Sequence, residues 1–82
     1  MNAEIQMHDL VAPTEDIATE HFATGARLTV RRGQIGTVVM TYDGSAFEVE
    51  FADAQGRAFA LLPIAAEKLI LLHDAPSAVV AA

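Results

Sequence analysis

The stretch Ala46-Phe47-Glu48-Val49-Glu50-Phe51-Ala52 constrains this chain more than any other part of it. Its large apolar and acidic residues alternate strictly. An extended backbone therefore puts Phe47, Val49 and Phe51 on one face and Glu48 and Glu50 on the other. A helix would scatter the three apolar side chains around its circumference, whereas a half-buried antiparallel strand requires this division. Just upstream stands Asp43-Gly44-Ser45, preceded by the β-branched and aromatic run Thr37–Tyr42. Asp-Gly between two such runs predicts a hairpin, because glycine takes the positive φ of a tight turn without steric cost.

Further along, Asp53–Arg57 supplies a second turn, and Ala58–Leu62 reads as a strand with Phe59 and Leu61 on its core face. Pro63 cannot donate to a ladder, so that strand ends there or lies at a sheet edge. Ile64–Leu69 is too short for a stable helix and fits one turn of 3₁₀ or α structure. Ile70–Leu72 follows as a short closing strand. Upstream, Leu10-Val11 opens a first strand stopped by Ala12-Pro13, and Leu28–Arg32 forms another before a turn at Gly33. The intervening segment Thr14–Ala26 is acidic, with Ile17 and Phe22 as its only large apolar residues. It reads as part of a long loop over residues 12–27, tucked onto the core by those two side chains, with a short helix capped by Thr14 as the less favoured alternative. Short strands, frequent turns and little helix predict an all-β fold: a small five-stranded barrel with one short helical turn before the last strand. The expected unit is one domain over residues 1–74, its core lying within 7–72, followed by a flexible tail over 75–82. In that core Phe47, Val49, Phe51, Phe59 and Leu61 pack against Ile35, Val38 or Val39, and Leu69 or Leu71.

The residues also carry a likeness. Gly33-Gln34-Ile35-Gly36-Thr37-Val38-Val39, then Tyr42, then Phe47-Glu48-Val49-Glu50-Phe51, then Asp53 with Gly56-Arg57, resembles a small SH3-like β-barrel. The spaced glycines before Thr-Val-Val resemble the opening strand of the KOW motif of ribosomal proteins and transcription factors. There the second glycine turns the chain sharply into a barrel strand. More closely, the run from Asp9 to Leu72 is similar to a bacterial family catalogued only as a domain of unknown function. Its members are short chains with Gly-Thr-Val-Val and Glu-Val-Glu-Phe strands and a leucine-rich last strand. This chain departs from them in a longer segment over Thr14–Arg32. Genes of that family often neighbour another small gene, so the resemblance implies an antitoxin- or immunity-like protein with a partner encoded nearby.

Composition narrows the function classes. The chain has 82 residues, enough for one domain. Apolar residues make up 52%, but 16 of them are alanines, so the few larger side chains must carry the core. Lys and Arg number 5 against 11 Asp and Glu, a net charge of −6 that disfavours non-specific binding to nucleic acid or anionic membranes. With no cysteine, disulfides, thiolate metal sites and cysteine catalysis are excluded, and a reducing cytoplasm is the expected setting. Met1–Leu10 lacks the basic-then-apolar pattern of a signal peptide, and no stretch approaches the roughly 20 apolar residues of a membrane span.

No residue pattern demands a cofactor, a metal or a catalytic site. His8, His21 and His73 have no metal-ligand spacing and read as exposed surface histidines. Gly33-x-x-Gly36 lacks the Lys-Ser/Thr ending of a phosphate loop, so its glycines read as bends into a strand. Glu48 and Glu50 fall roughly 6–7 Å apart by strand geometry. Paired carboxylates at such spacing can run acid/base chemistry in a cleft, but an open strand face leaves them solvated or facing a partner. Arg27, Arg31 and Arg32 gather three of the five basic residues. Their bland reading is pairing with surplus acids, and their sharper one is a nucleic-acid rim completed by Tyr42.

Three readings of function follow. The first is a non-enzymatic protein-interaction module that binds a partner protein through acids at Glu48, Glu50, Glu15, Asp16 and Glu20. The alternative is a KOW-type nucleic-acid-binding barrel using Arg27, Arg31, Arg32 and Tyr42, which the charge balance disfavours. A structural or assembly subunit forms a third, with Ile70–Leu72 or Leu28–Val30 as an apolar edge for a homo-oligomer.

Overall fold

The Asp43-Gly44 turn forms as the sequence predicts. Both residues have positive φ, 57° and 73°, and the Ser45 N–H donates to the Tyr42 carbonyl at 3.0 Å. The computed structural model, which describes residues 5–76, builds the antiparallel sheet outward from this hairpin. In chain order the strands are β1 (Leu10–Pro13), β2 (Ile17–Glu20), β3 (Arg27–Val30), β4 (Gly36–Tyr42), β5 (Ala46–Ala52), β6 (Ala58–Ala65) and β7 (Leu69–Leu71). A 3₁₀ turn, Ala66–Lys68, separates the last two. Five strands form one antiparallel sheet in the order β6-β5-β4-β1-β7, while β2 and β3 pair only with each other.

The fold is thus all-β, with the expected helical turn before the last strand, but its two sheets close no barrel. The edge strands β6 and β7 do not pair. β7 is three residues long. Just past β6, the Ala66 N–H donates inward to the Ser45 carbonyl, so by strand alternation Pro63, three residues earlier, occupies an outward-facing position. A proline there removes one outward donor from the edge.

Strand β5, inside the sheet between β6 and β4, carries much of the core. Phe47, Val49 and Phe51 are all but inaccessible, and they join Val11, Val38, Ala60, Ile64 and Leu69 in one cluster. Burying each large apolar side chain contributes on the order of 1.5–3 kcal/mol. Gly36 is part of this packing. A Cβ at its position would lie 2.6 Å from Val49 Cγ1 and 2.7 Å from Phe51 Cε1, so this glycine clears space for the core. The positive φ of the Gly33-x-x-Gly36 pair belongs to Gly33 alone, at 85°.

Four sequence expectations require correction. Residues 12–27 do not form one long loop, because β1 continues through Pro13 and Ile17–Glu20 pairs in register with Arg27–Val30. That hairpin lies on the core through Val30, with Ile17 and Leu28 half-buried beside it. Phe22 does not tuck inward: it sits in the hairpin's turn and is 59% exposed. Strand β6 presents the face opposite to the one expected, with Ala60 and Ile64 buried, Phe59 only partly covered, and Leu61 46% exposed. The cause is pairing, since Ala60 stands opposite Phe51 and a small residue leaves room for the ring. Ile35 is likewise exposed, because its neighbour Gly36 takes the inward position and alternation turns Ile35 out. Of the tail expected over residues 75–82, residues 77–82 lie outside the described part.

Candidate functional site

The outer face of the five-stranded sheet is built from residues that alternate with the core. On β5 these include Glu48 and Glu50, and strand register sets their neighbours. Glu48 lies between Met40 of β4 and Pro63 of β6, and Glu50 between Thr37 and Leu61. A register shift between Val38 and Met40 aligns Met40 with Glu48. Met40 and Leu61 are both about half exposed, at 50% and 46%. The result is a pair of carboxylates beside Met40, Pro63 and Leu61 on the outer face, with Leu61 also bordering the β2–β3 hairpin.

Tyr42 completes this face. Its hydroxyl donates to Glu48 Oε1 at 2.8 Å. The hydrogen bond to the Glu48 carboxylate, with smaller contributions from desolvation and the negative charge itself, raises the tyrosine's pKa above its ordinary value. The contact holds the Glu48 side chain in place without neutralising it. Ion pairs among the described residues are Arg57–Asp53 and Lys68–Glu15, so neither Glu48 nor Glu50 takes part in one.

The other three expected acids lie elsewhere and are engaged locally. The Lys68 Nζ meets Glu15 Oε2 at 3.0 Å, tying the segment before β2 to the 3₁₀ turn. This contact, reinforced by the charge of Glu67, raises the lysine's pKa. Asp16 Oδ1 accepts the Arg32 backbone N–H at 2.7 Å, and Glu20 stands directly across from Arg27 in the β2–β3 register. Continuing that register puts Asp16 opposite Arg31, and Thr14, Glu15, Asp16, Arg31 and Arg32 line one shallow depression. The expected acidic surface therefore divides into a charge-balanced hairpin and an unbalanced pair on the main sheet.

The arginines and Tyr42 are not brought together. Arg31 and Arg32 lead through the Gly33 turn to the Gly36 end of β4, while Tyr42 is at its other end. Seven residues of strand separate those ends by about 20 Å. His21, expected to be exposed, is half-buried in the hairpin turn, where its Nδ1 accepts the Ala23 N–H at 3.0 Å. Among the described residues no three His, Cys, Asp or Glu side chains gather as a metal ion would need, and no helix is long and apolar enough to cross a membrane. Sequence reasoning missed the apolar members of the site, Met40 and Leu61. The available signal was Pro63, which marks β6 as an edge, together with the alanines that small core positions opposite phenylalanine demand.

Architecture and surface define a small all-β domain with an open acidic and apolar sheet face. The chain belongs to the family described as Domain of unknown function (DUF4926), whose model matches residues 7–71. No curated protein and no solved structure matches it.

Proposed function

We propose that this domain is a non-enzymatic protein-interaction module, antitoxin- or immunity-like, that binds a partner protein through the outer face of its five-stranded sheet. The observation that carries this reading is the pair Glu48 and Glu50, without an ion pair among the described residues and flanked by exposed Met40, Leu61 and Tyr42. A complementary partner presents lysine or arginine set among apolar side chains. Opposite charge then steers the encounter, while covering Met40 and Leu61 supplies affinity. The hairpin acids Glu15, Asp16 and Glu20 are secondary, because each already has a basic residue or a backbone donor beside it. The 3₁₀ turn before a last strand that pairs with the first supports kinship with SH3-like barrels, here opened between β6 and β7.

Co-purification with the product of the adjoining gene tests the reading. Binding by the natural chain, and its loss in Glu48→Lys/Glu50→Lys with the fold intact by circular dichroism, is the expected result. Binding that survives the double reversal would remove the acidic face from the interface.

A further inference from the structure

The two edges of the main sheet are finished differently. On β6, Pro63 removes an outward donor, and the Phe59 carbonyl is already taken by the Phe22 N–H at 3.1 Å, so the hairpin's turn leans on that edge. Both are recognised ways of preventing a sheet from adding strands. β7 has neither. Its bonds to β1 alternate through Thr14–Lys68, Ala12–Ile70 and Leu10–Leu72, which turns the backbone groups of Leu69 and Leu71 away from the sheet. The Leu69 N–H closes the 3₁₀ turn onto the Ala66 carbonyl. The Leu71 N–H and carbonyl and the Leu69 carbonyl face an edge on which no strand pairs among the described residues.

The side chains around that edge are apolar on the outer face. Register aligns Ile70 with Ala12, and Ile35 falls on Ala12's other side where β4 begins. Ile35 and Ile70 are about 60% and 52% exposed, while Ala12 between them is nearly inaccessible. This row runs to the β7 edge and stops there.

We propose that two copies of this chain associate by antiparallel pairing of their β7 strands about a two-fold axis. Centred on Leu71, the arrangement puts Leu71 opposite Leu71 of the second copy, where the two residues exchange both N–H···O bonds. In the same register Ile70 faces the second copy's Leu72, which extends the apolar row across the junction. Continued past the strand ends, the register brings Lys68, which pairs with Glu15 in its own chain, to the second copy's Asp74, and symmetry repeats that opposite-charge pair at the other end. This complementarity within one short segment singles out a second copy as the occupant: the edge carries its own matching charges at matching offsets from its centre.

Sedimentation equilibrium over a range of concentrations, on the full chain, tests the proposal. The expected result is a mass rising from one chain to two. Leu71→Pro, which removes the outward donor, should weaken the dimer roughly tenfold or more. Leu71 is half-buried, so circular dichroism checks that this variant folds. Asp74→Lys, at an exposed bend, sets like charges opposite Lys68 and should weaken association without touching the core. Glu48→Lys/Glu50→Lys should leave it unchanged. A single-chain mass at every concentration overturns the proposal, and so does a dimer indifferent to Asp74→Lys.

Discussion

The main sheet and the β2–β3 hairpin spend their residues in opposite ways. The sheet commits Phe47, Val49 and Phe51 to a fully enclosed interior and leaves its acids unmatched outside. The hairpin buries one residue, Val30, leans on half-covered Ile17 and Leu28, and exposes Phe22, yet its charges face one another across the strands. Stability in a domain this small therefore resides in the sheet's inner face, and charge without an ion-pair partner among the described residues resides in its outer face. The hairpin covers the core and contributes little net charge.

The sharpest way to break this comparison is at Gly36. Its replacement by alanine forces a Cβ against Val49 and Phe51, neither of which has free space to yield. Gly36→Ala should lose about 1–3 kcal/mol of stability, measured by urea denaturation, the overpacking outweighing the entropy that alanine recovers. A change near zero would mean that the sheet's interior is looser than the hairpin's contacts. On the hairpin, Phe22→Ser should alter stability by no more than about 0.5 kcal/mol in the same assay, as expected for a surface side chain. A larger loss would show that the turn holds the β6 edge more firmly than its exposure indicates.

The smallest effect is a titration. The chain has a single tyrosine and no tryptophan, so ultraviolet absorbance reports Tyr42 alone. Its phenol should ionise above the ordinary tyrosine value, and Glu48→Gln should bring it back toward that value. A raised pKa means that the folded chain favours the protonated phenol. The contact's contribution is thus intact at neutral pH and below the ordinary value, and is lost as pH rises through the raised one. An unshifted phenol would free Glu48 from its hydrogen bond.

Much of this division is written locally in the sequence. The alternation of Phe47 through Phe51 and the Asp43-Gly44 turn specify the central hairpin, because strand period and positive φ are properties of neighbouring residues. Pro63 and the short run after it likewise announce an edge and a 3₁₀ turn. The facing of β6 is another matter. Phe59 and Leu61 are the bulkier residues of Ala58–Leu62, so size alone turns them inward, whereas Ala60 goes inside because Phe51 on the next strand already fills the space. A partner eight or more residues away decides the outcome. The same holds for Ile17–Glu20, too acidic and sparsely apolar to read as a strand until Arg27–Val30 pairs with it. Of the site, Glu48 and Glu50 follow from alternation, but Met40 and Leu61 join them only through cross-strand register.

Pro63 bears on more than the strand that contains it. A sheet able to grow at both ends can add copies indefinitely, and the product is a fibre. With β6 refusing further strands, growth is possible in one direction only, and a two-fold junction at β7 uses up that direction in both molecules at once. Assembly then halts at two. Under the proposed β7 pairing, Pro63 and the hairpin turn on the far edge together set an upper limit on the size of the assembly.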